Sequence, residues 1–123
     1  MQYDGRQLSR IVISAVDSMK SRKIIWKSVH DQAGVHPYID ARMGLEILVV
    51  HTVRPQVRED RVRYSQTIVP DDQAYQEPCT ARTICYTPLM AASLVCNLVK
   101  RFVNKVQVPS QVTLDLVTYS MIV

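Results

Sequence analysis

At 123 residues, with 47% apolar and 21% charged side chains, the chain suits one small globular domain and not a disordered tail. Its formal charge of +4 is spread over alternating signs, and its few aromatics are not interleaved with basic residues, so neither feature points to nucleic acid. Cys79, Cys85 and Cys96 are odd in number and lack CxxC spacing, which predicts free thiols, a reducing cytoplasm and no zinc.

Residues 11–16 (IVISAV) form a short apolar run that ends at Asp17, the pattern of a strand covered on both faces. Asp17 and Ser18 supply side-chain oxygens to cap a helix running from Met19 to about Gln32, and the Ala33-Gly34 pair closes it. Ile24, Ile25 and Val29 are its expected inward residues, with Trp26 at an edge. His36-Pro37 then turns the chain into a second strand over 38–41, broken at Arg42-Met43-Gly44. Residues 45–53 (LEILVVHTV) are the strongest strand pattern, and the short link before them permits only an antiparallel neighbour.

Residues 54–63 alternate in charge and read as exposed, while 64–69 (YSQTIV) alternate well enough for another strand, stopped at Pro70. A polar crossover over 71–78 leads to a long helix from about Thr80 to Val103, which Pro88 either kinks or restarts. Ile84, Leu89, Ala92, Val95, Val99 and Phe102 recur at helical spacing, predicting a deeply packed helix in which Cys85 and Cys96 are inert packing residues. Thr87, Pro88, Ser93 and Asn97 interrupt its apolar run, which falls short of the ~20 residues of a membrane span. Residues 112–123 (VTLDLVTYSMIV) close the chain as one strand. The expected fold is therefore α/β, a mixed sheet with helices on its faces and a long C-terminal helix.

The order of three segments resembles the second half of the adenylyltransferase domain shared by ThiF, MoeB and HesA, relatives of the ubiquitin-activating enzymes. ISAVDSMKSRKIIWK is similar to that family's strand-end aspartate followed by a helical arginine. DARMGLEILVVHTV is similar to its central strand pair, and EPCTARTICYTPLMAASLVCNLVKRF to the crossover leading into its core helix. The segments cover most of residues 12–102, and the DARMG and EPCTAR variants look nearest to phage or cyanobacterial ThiF-like proteins. The resemblance implies residues 1–123 as a single partial domain with a partial Rossmann-like, three-layer fold. It also implies ATP-dependent adenylation of the C-terminal carboxylate of a small ubiquitin-like or sulfur-carrier protein.

Carried over residue by residue, Asp17 corresponds to the aspartate that holds magnesium near the phosphates of ATP. Arg22 corresponds to the arginine that orders the site, and Cys79 to a position where some members keep a reactive thiol. The family's glycine-rich phosphate loop, its ribose-binding acid and its ATP-gripping arginine and lysine belong to a first half that has no match here. This chain alone is therefore not expected to bind ATP as the family does. The expected partners are a nucleotide-binding half on another polypeptide, a ubiquitin-like protein and a second copy of the chain. The alternative is a non-enzymatic interaction or assembly module that kept the sheet and lost the nucleotide.

Each candidate also has a plainer reading. Asp17 is either a magnesium ligand or a helix cap, and Cys79 either a thiolate at a helix amino terminus or a small residue at its entrance. Asp40 and Arg42 either face the substrate cleft or pair with one another. The Arg54–Arg63 stretch is either a solvated face or a contact for an acidic small protein. His30, His36 and His51 lack compact metal spacing.

Overall fold

The computed structural model describes residues 7–70, 72–73 and 84–123. Among these described residues, five strands and three helices follow in the order β1 (Val12–Ser14), α1 (Met19–His30), β2 (Tyr38–Gly44), β3 (Ile47–Val53), α2 (Arg58–Ser65), α3 (Tyr86–Val103), β4 (Gln111–Asp115) and β5 (Ser120–Ile122). The strands form one mixed sheet in the order β1-β2-β3-β4-β5. Only β1 and β2 run parallel, joined by the α1 crossover, and the remaining pairs are antiparallel.

Strand alternation divides the sheet into two unlike faces. On β2, Ile39 and Ala41 point one way and Tyr38, Asp40 and Arg42 the other. Ile39 and Ala41 join Leu48 and Val50 of β3 against Ala91, Val95 and Leu98 of α3. Tyr38 joins Val53 beneath Trp26 and Val29 of α1 and Tyr64 of α2. The molecule thus has three layers, with α3 on one side of the sheet and α1 and α2 on the other.

The β2–β3 pairing agrees with the sequence pattern. β1 is instead a three-residue edge strand with Ile13 52% exposed, not a strand covered on both faces. Helix α1 ends at His30 with Asp31 as its cap, ahead of Ala33-Gly34, and it buries Arg22, Trp26 and Val29 while Ile24 faces outward. The bend after β2 lies later than expected: the strand continues through Gly44, and the turn falls on residues 45–46. Leu45 takes a left-handed φ of 53° there. The Thr87 hydroxyl donates to the Leu45 carbonyl at 2.8 Å, and the Leu116 amide donates to the Glu46 carbonyl at 2.9 Å. Two elements therefore grip a turn whose backbone is unfavourable for a residue with a Cβ.

Three further expectations are corrected. The strand expected over 64–69 is instead the end of α2 and the coil after it. The charge alternation before it is helical: Glu59 and Asp60 sit in the first turn and Arg63 in the last, as the helix dipole favours. Asp60 and Tyr64, four residues apart, form the buried side of that helix.

The long helix starts at Tyr86, with Pro88 in its first turn. Pro88 causes no kink, because the first-turn amides have no intrahelical carbonyl to bond. Only Thr87, Ala91, Val95 and Leu98 are buried, so α3 packs through one face, and Cys85 and Cys96 are exposed instead of packed.

The closing strand is split into β4 and β5. The Asp115 carboxylate accepts from the amides of Val117 and Thr118, at 2.8 and 3.2 Å, and fixes the turn. Tyr119 completes it at a positive φ of 55°.

Candidate functional site

The polar face of β2 builds a buried cluster around Asp40, whose side chain is fully enclosed. Arg22, projecting inward from α1, places Nε 3.0 and 3.1 Å from the two carboxylate oxygens. Arg42, two residues along the same strand, donates its Nε to Asp40 Oδ2 at 2.7 Å. Tyr64 reaches over from α2 and donates its hydroxyl to the same oxygen at 3.0 Å, while Tyr38 OH lies 3.2 Å from Tyr64 OH. Asp40 and Arg42 are thus paired with one another, as the plainer of the two sequence readings expected.

The cations extend the cluster into two loops. The Arg22 Nη2 donates to the Val16 carbonyl in the β1–α1 loop and, at 3.3 Å, to the Ala41 carbonyl. Arg42 donates to the carbonyl and the hydroxyl of Thr67, at 2.9 and 2.8 Å. Asp40 is the anion on which the loop before α1 and the coil after α2 are both tied. Desolvation opposes the charge on Arg42, but the hydrogen bond and charge of Asp40 outweigh it and hold its pKa above the ordinary value.

Burial sets the protonation of the neighbours. His51 pairs in register with Asp40 and packs its ring 5.7 Å from that of Tyr64. Desolvation, reinforced by the positive charge of Arg42, lowers its pKa from 6.5 to about 4 despite the opposing pull of Asp40. Tyr38 is pushed up to about 12 by burial and then by Asp40. Tyr64 is raised by burial, by Tyr38 and by Asp40. Both phenols are therefore neutral donors at neutral pH.

Asp17 lies outside this cluster, exposed in the bend between β1 and α1. The helix cap falls to Ser18, whose hydroxyl accepts from the Ser21 amide at 3.1 Å. Asp17 makes no hydrogen bond or ion pair with another described residue. It follows β1 at the carboxyl end of the one parallel strand pair, the rim where ligands of α/β sheets bind. Arg22 holds the carbonyl of the residue before it. Asp17, Arg22, Asp40 and Arg42 therefore belong to one connected region, with Asp17 at its surface. Cys79 lies outside the described residues.

Tyr64, Tyr38 and His51 were missed as members of the cluster. The signal for Tyr64 was its four-residue spacing from Asp60 on one helix side, hidden while 64–69 read as a strand. His51 was visible only through register, since Asp40 faces it from the neighbouring strand.

Among the described residues, no group of three or more His, Cys, Asp or Glu side chains is arranged to hold a metal ion. No described helix is long and apolar enough to cross a membrane. No protein-family model matches the chain, and no curated protein matches it.

Proposed function

We propose that the chain is the second half of a ThiF-type adenylyltransferase domain that acts only when a nucleotide-binding half completes it. The observation that supports this reading is Asp17: an exposed carboxylate, free of the capping role, at the carboxyl rim of a parallel strand pair. ATP with magnesium would supply an electrophilic α-phosphorus and a pyrophosphate leaving group. Asp17 fits as one carboxylate ligand of that magnesium, with phosphates and water supplying the remaining oxygens of an octahedral shell. Arg22 acts in the cofactor site by ordering, since its guanidinium is committed to Asp40 and to the Val16 and Ala41 carbonyls. Asp40 and Arg42 brace the wall of the substrate cleft from beneath. Cys79 is the proposed residue for acyl or thiol transfer once the carboxylate of a ubiquitin-like protein is activated.

The test is ATP–pyrophosphate exchange by the chain combined with a candidate nucleotide-binding half. Exchange is expected with the pair and lost in Asp17→Ala. Exchange that survives the substitution removes Asp17 from the mechanism.

A second reading, an assembly module, is favoured by the apolar side chains left uncovered at the two sheet edges. Ile13 on β1 is 52% exposed, and Met121 and Ile122 on β5 are 64% and 68% exposed. Such edges invite pairing with another chain or a second copy. Sedimentation that gives a monomer at high concentration, with no nucleotide chemistry lost, counts against it.

A further inference from the structure

The positive charge of the chain is concentrated on one layer. Residues 20–31 and 54–65, which carry α1 and α2, contain eight Lys or Arg and three Asp or Glu, so this layer bears +5 of the +4 total and the rest of the chain −1. Part of that charge is spent internally: Arg22 is bound to Asp40, and Arg54 and Arg63 are bound to Asp60. Of the remainder, Lys20, Lys23, Lys27 and Arg58 are exposed and Arg61 is half-buried. Lys23 and Lys27 are exposed one turn apart on α1, and His30 continues their line. Across the helix junction, Arg61 Nη1 lies 3.4 Å from His30 Nε2, and Arg58 follows one turn away on α2. The four cations Lys23, Lys27, Arg61 and Arg58 thus form one run across two helices.

We propose that this α1–α2 face is a docking surface for the acidic face of another protein. Apolar groups interrupt the run, with Ile24 39% and Val62 51% exposed. Arg58, Arg63 and Val62, with Glu59 and Gln66, line an open depression of about 400 Å³. A depression that presents the Arg58 guanidinium beside the exposed Val62 suits carboxylate-bearing side chains with methylene stems, because arginine pairs with carboxylates in a fixed fork geometry.

Other polyanions fit less well. The large aromatic rings of these helices, Trp26 and Tyr64, are buried in the core, so no stacking platform for bases is presented. A lipid surface calls for a broad apolar helix face, and the outer side of α1 offers Ile24 among lysines. The remainder of the chain carries a net charge of only −1, a weaker complement than a dedicated acidic face. The inference rests on charge and packing, and needs no part of the adenylation reading.

The test measures binding of the full chain, by fluorescence anisotropy or co-sedimentation, to three probes. These are a labelled peptide rich in Glu and Asp with interspersed Leu, a DNA duplex, and vesicles containing phosphatidylserine. Peptide binding is expected to weaken at least about tenfold as salt rises from about 50 to about 300 mM. It is expected to weaken by about the same factor in Lys23→Glu/Lys27→Glu/Arg61→Glu, and by less in the milder Lys23→Gln/Lys27→Gln. A control reversal on the opposite side, Lys100→Glu/Lys105→Glu, is expected to leave binding unchanged. The proposal is overturned if the control weakens binding as much as the triple variant, if the peptide does not bind, or if duplex or vesicle binds more tightly than peptide.

Discussion

Arg22 and Asp40 meet across the parallel β1–β2 junction with Nε near-equidistant, at 3.0 and 3.1 Å, from both carboxylate oxygens. Both side chains are almost entirely enclosed, at 5% and 0% exposure. Coulomb attraction in such a site offsets desolvation only while both partners remain. Arg42 makes the dependence sharper, because the same carboxylate also balances its guanidinium. Asp40→Asn keeps the shape and removes the charge, so it leaves the buried Arg22 and the half-buried Arg42 facing a neutral amide. The expected loss of stability is about 3–5 kcal/mol, as found when one partner of a buried pair is removed. Urea denaturation would measure it. A loss under about 1 kcal/mol would show that Asp40 is not the anion holding the two arginines.

This centre was only partly legible in the sequence. Asp40 and Arg42 stood out because they flank the bend expected next to Gly44. Arg22 entered only through the family resemblance, and its partner Asp40 lies eighteen residues away in sequence. Local periodicity carries no information about such a contact. Alternation also hid α2: Tyr64, Gln66 and Ile68 read as one strand face, while the decisive grouping was Asp60 with Tyr64 on a helix. A β-branched run after a short charged helix resembles a strand until the tertiary core draws its tyrosine inward. The Asp115 turn was missed for the opposite reason, since one aspartate with two amides to serve divides an otherwise continuous apolar pattern.

His51 makes stability depend on pH in a defined window. Its folded pKa, about 4, lies below its ordinary 6.5, so between these values the unfolded chain binds the proton more readily. Stability then rises with pH, and it falls as the solution is acidified from 6.5 toward 4. The groups facing His51 are Asp40, Arg42, Arg22, Arg63 and the ring of Tyr64. His36, also lowered, by burial and then by Arg10 and Arg54, contributes in the same direction. Asp60, whose carboxyl is lowered chiefly by its hydrogen bond with Arg54, loses its contribution only below its ordinary 3.8. His51→Gln should therefore flatten the loss between pH 6.5 and 4 by roughly 3 kcal/mol at most, read from urea curves at each pH. An unchanged slope would mean that His51 is protonated within the fold.

The position of Pro88 separates a helix start from a kink. In the first turn of α3 it costs no hydrogen bond, and its fixed φ suits helical backbone. Pro88→Ala is expected to shift stability by less than about 1 kcal/mol. A proline placed at Val95, in the middle of the same helix and packed on Ile39, Ala41, Leu48 and Val50, should cost at least about 3 kcal/mol. Equal effects of the two substitutions, measured by thermal and urea unfolding, would place Pro88 in the helix interior.

Two of the three thiols offer a direct check of how α3 is turned. Cys85 and Cys96 are exposed, and Ala91, Val95 and Leu98 carry the buried face between and beyond them. Both should react with a maleimide in the native protein at rates close to a free thiol. Protection of Cys96 would show that this side of α3 is covered, either by a second copy or by a partner chain. Cys85→Ser/Cys96→Ser then isolates Cys79 and tests its proposed reactivity. A thiolate held ready for acyl transfer keeps reacting as pH drops below about 7, where an ordinary thiol, with a pKa near 8.5, slows tenfold per pH unit. A pH–rate profile for Cys79 with an ordinary thiol midpoint would end its transfer role while leaving Asp17 and the rim geometry untouched.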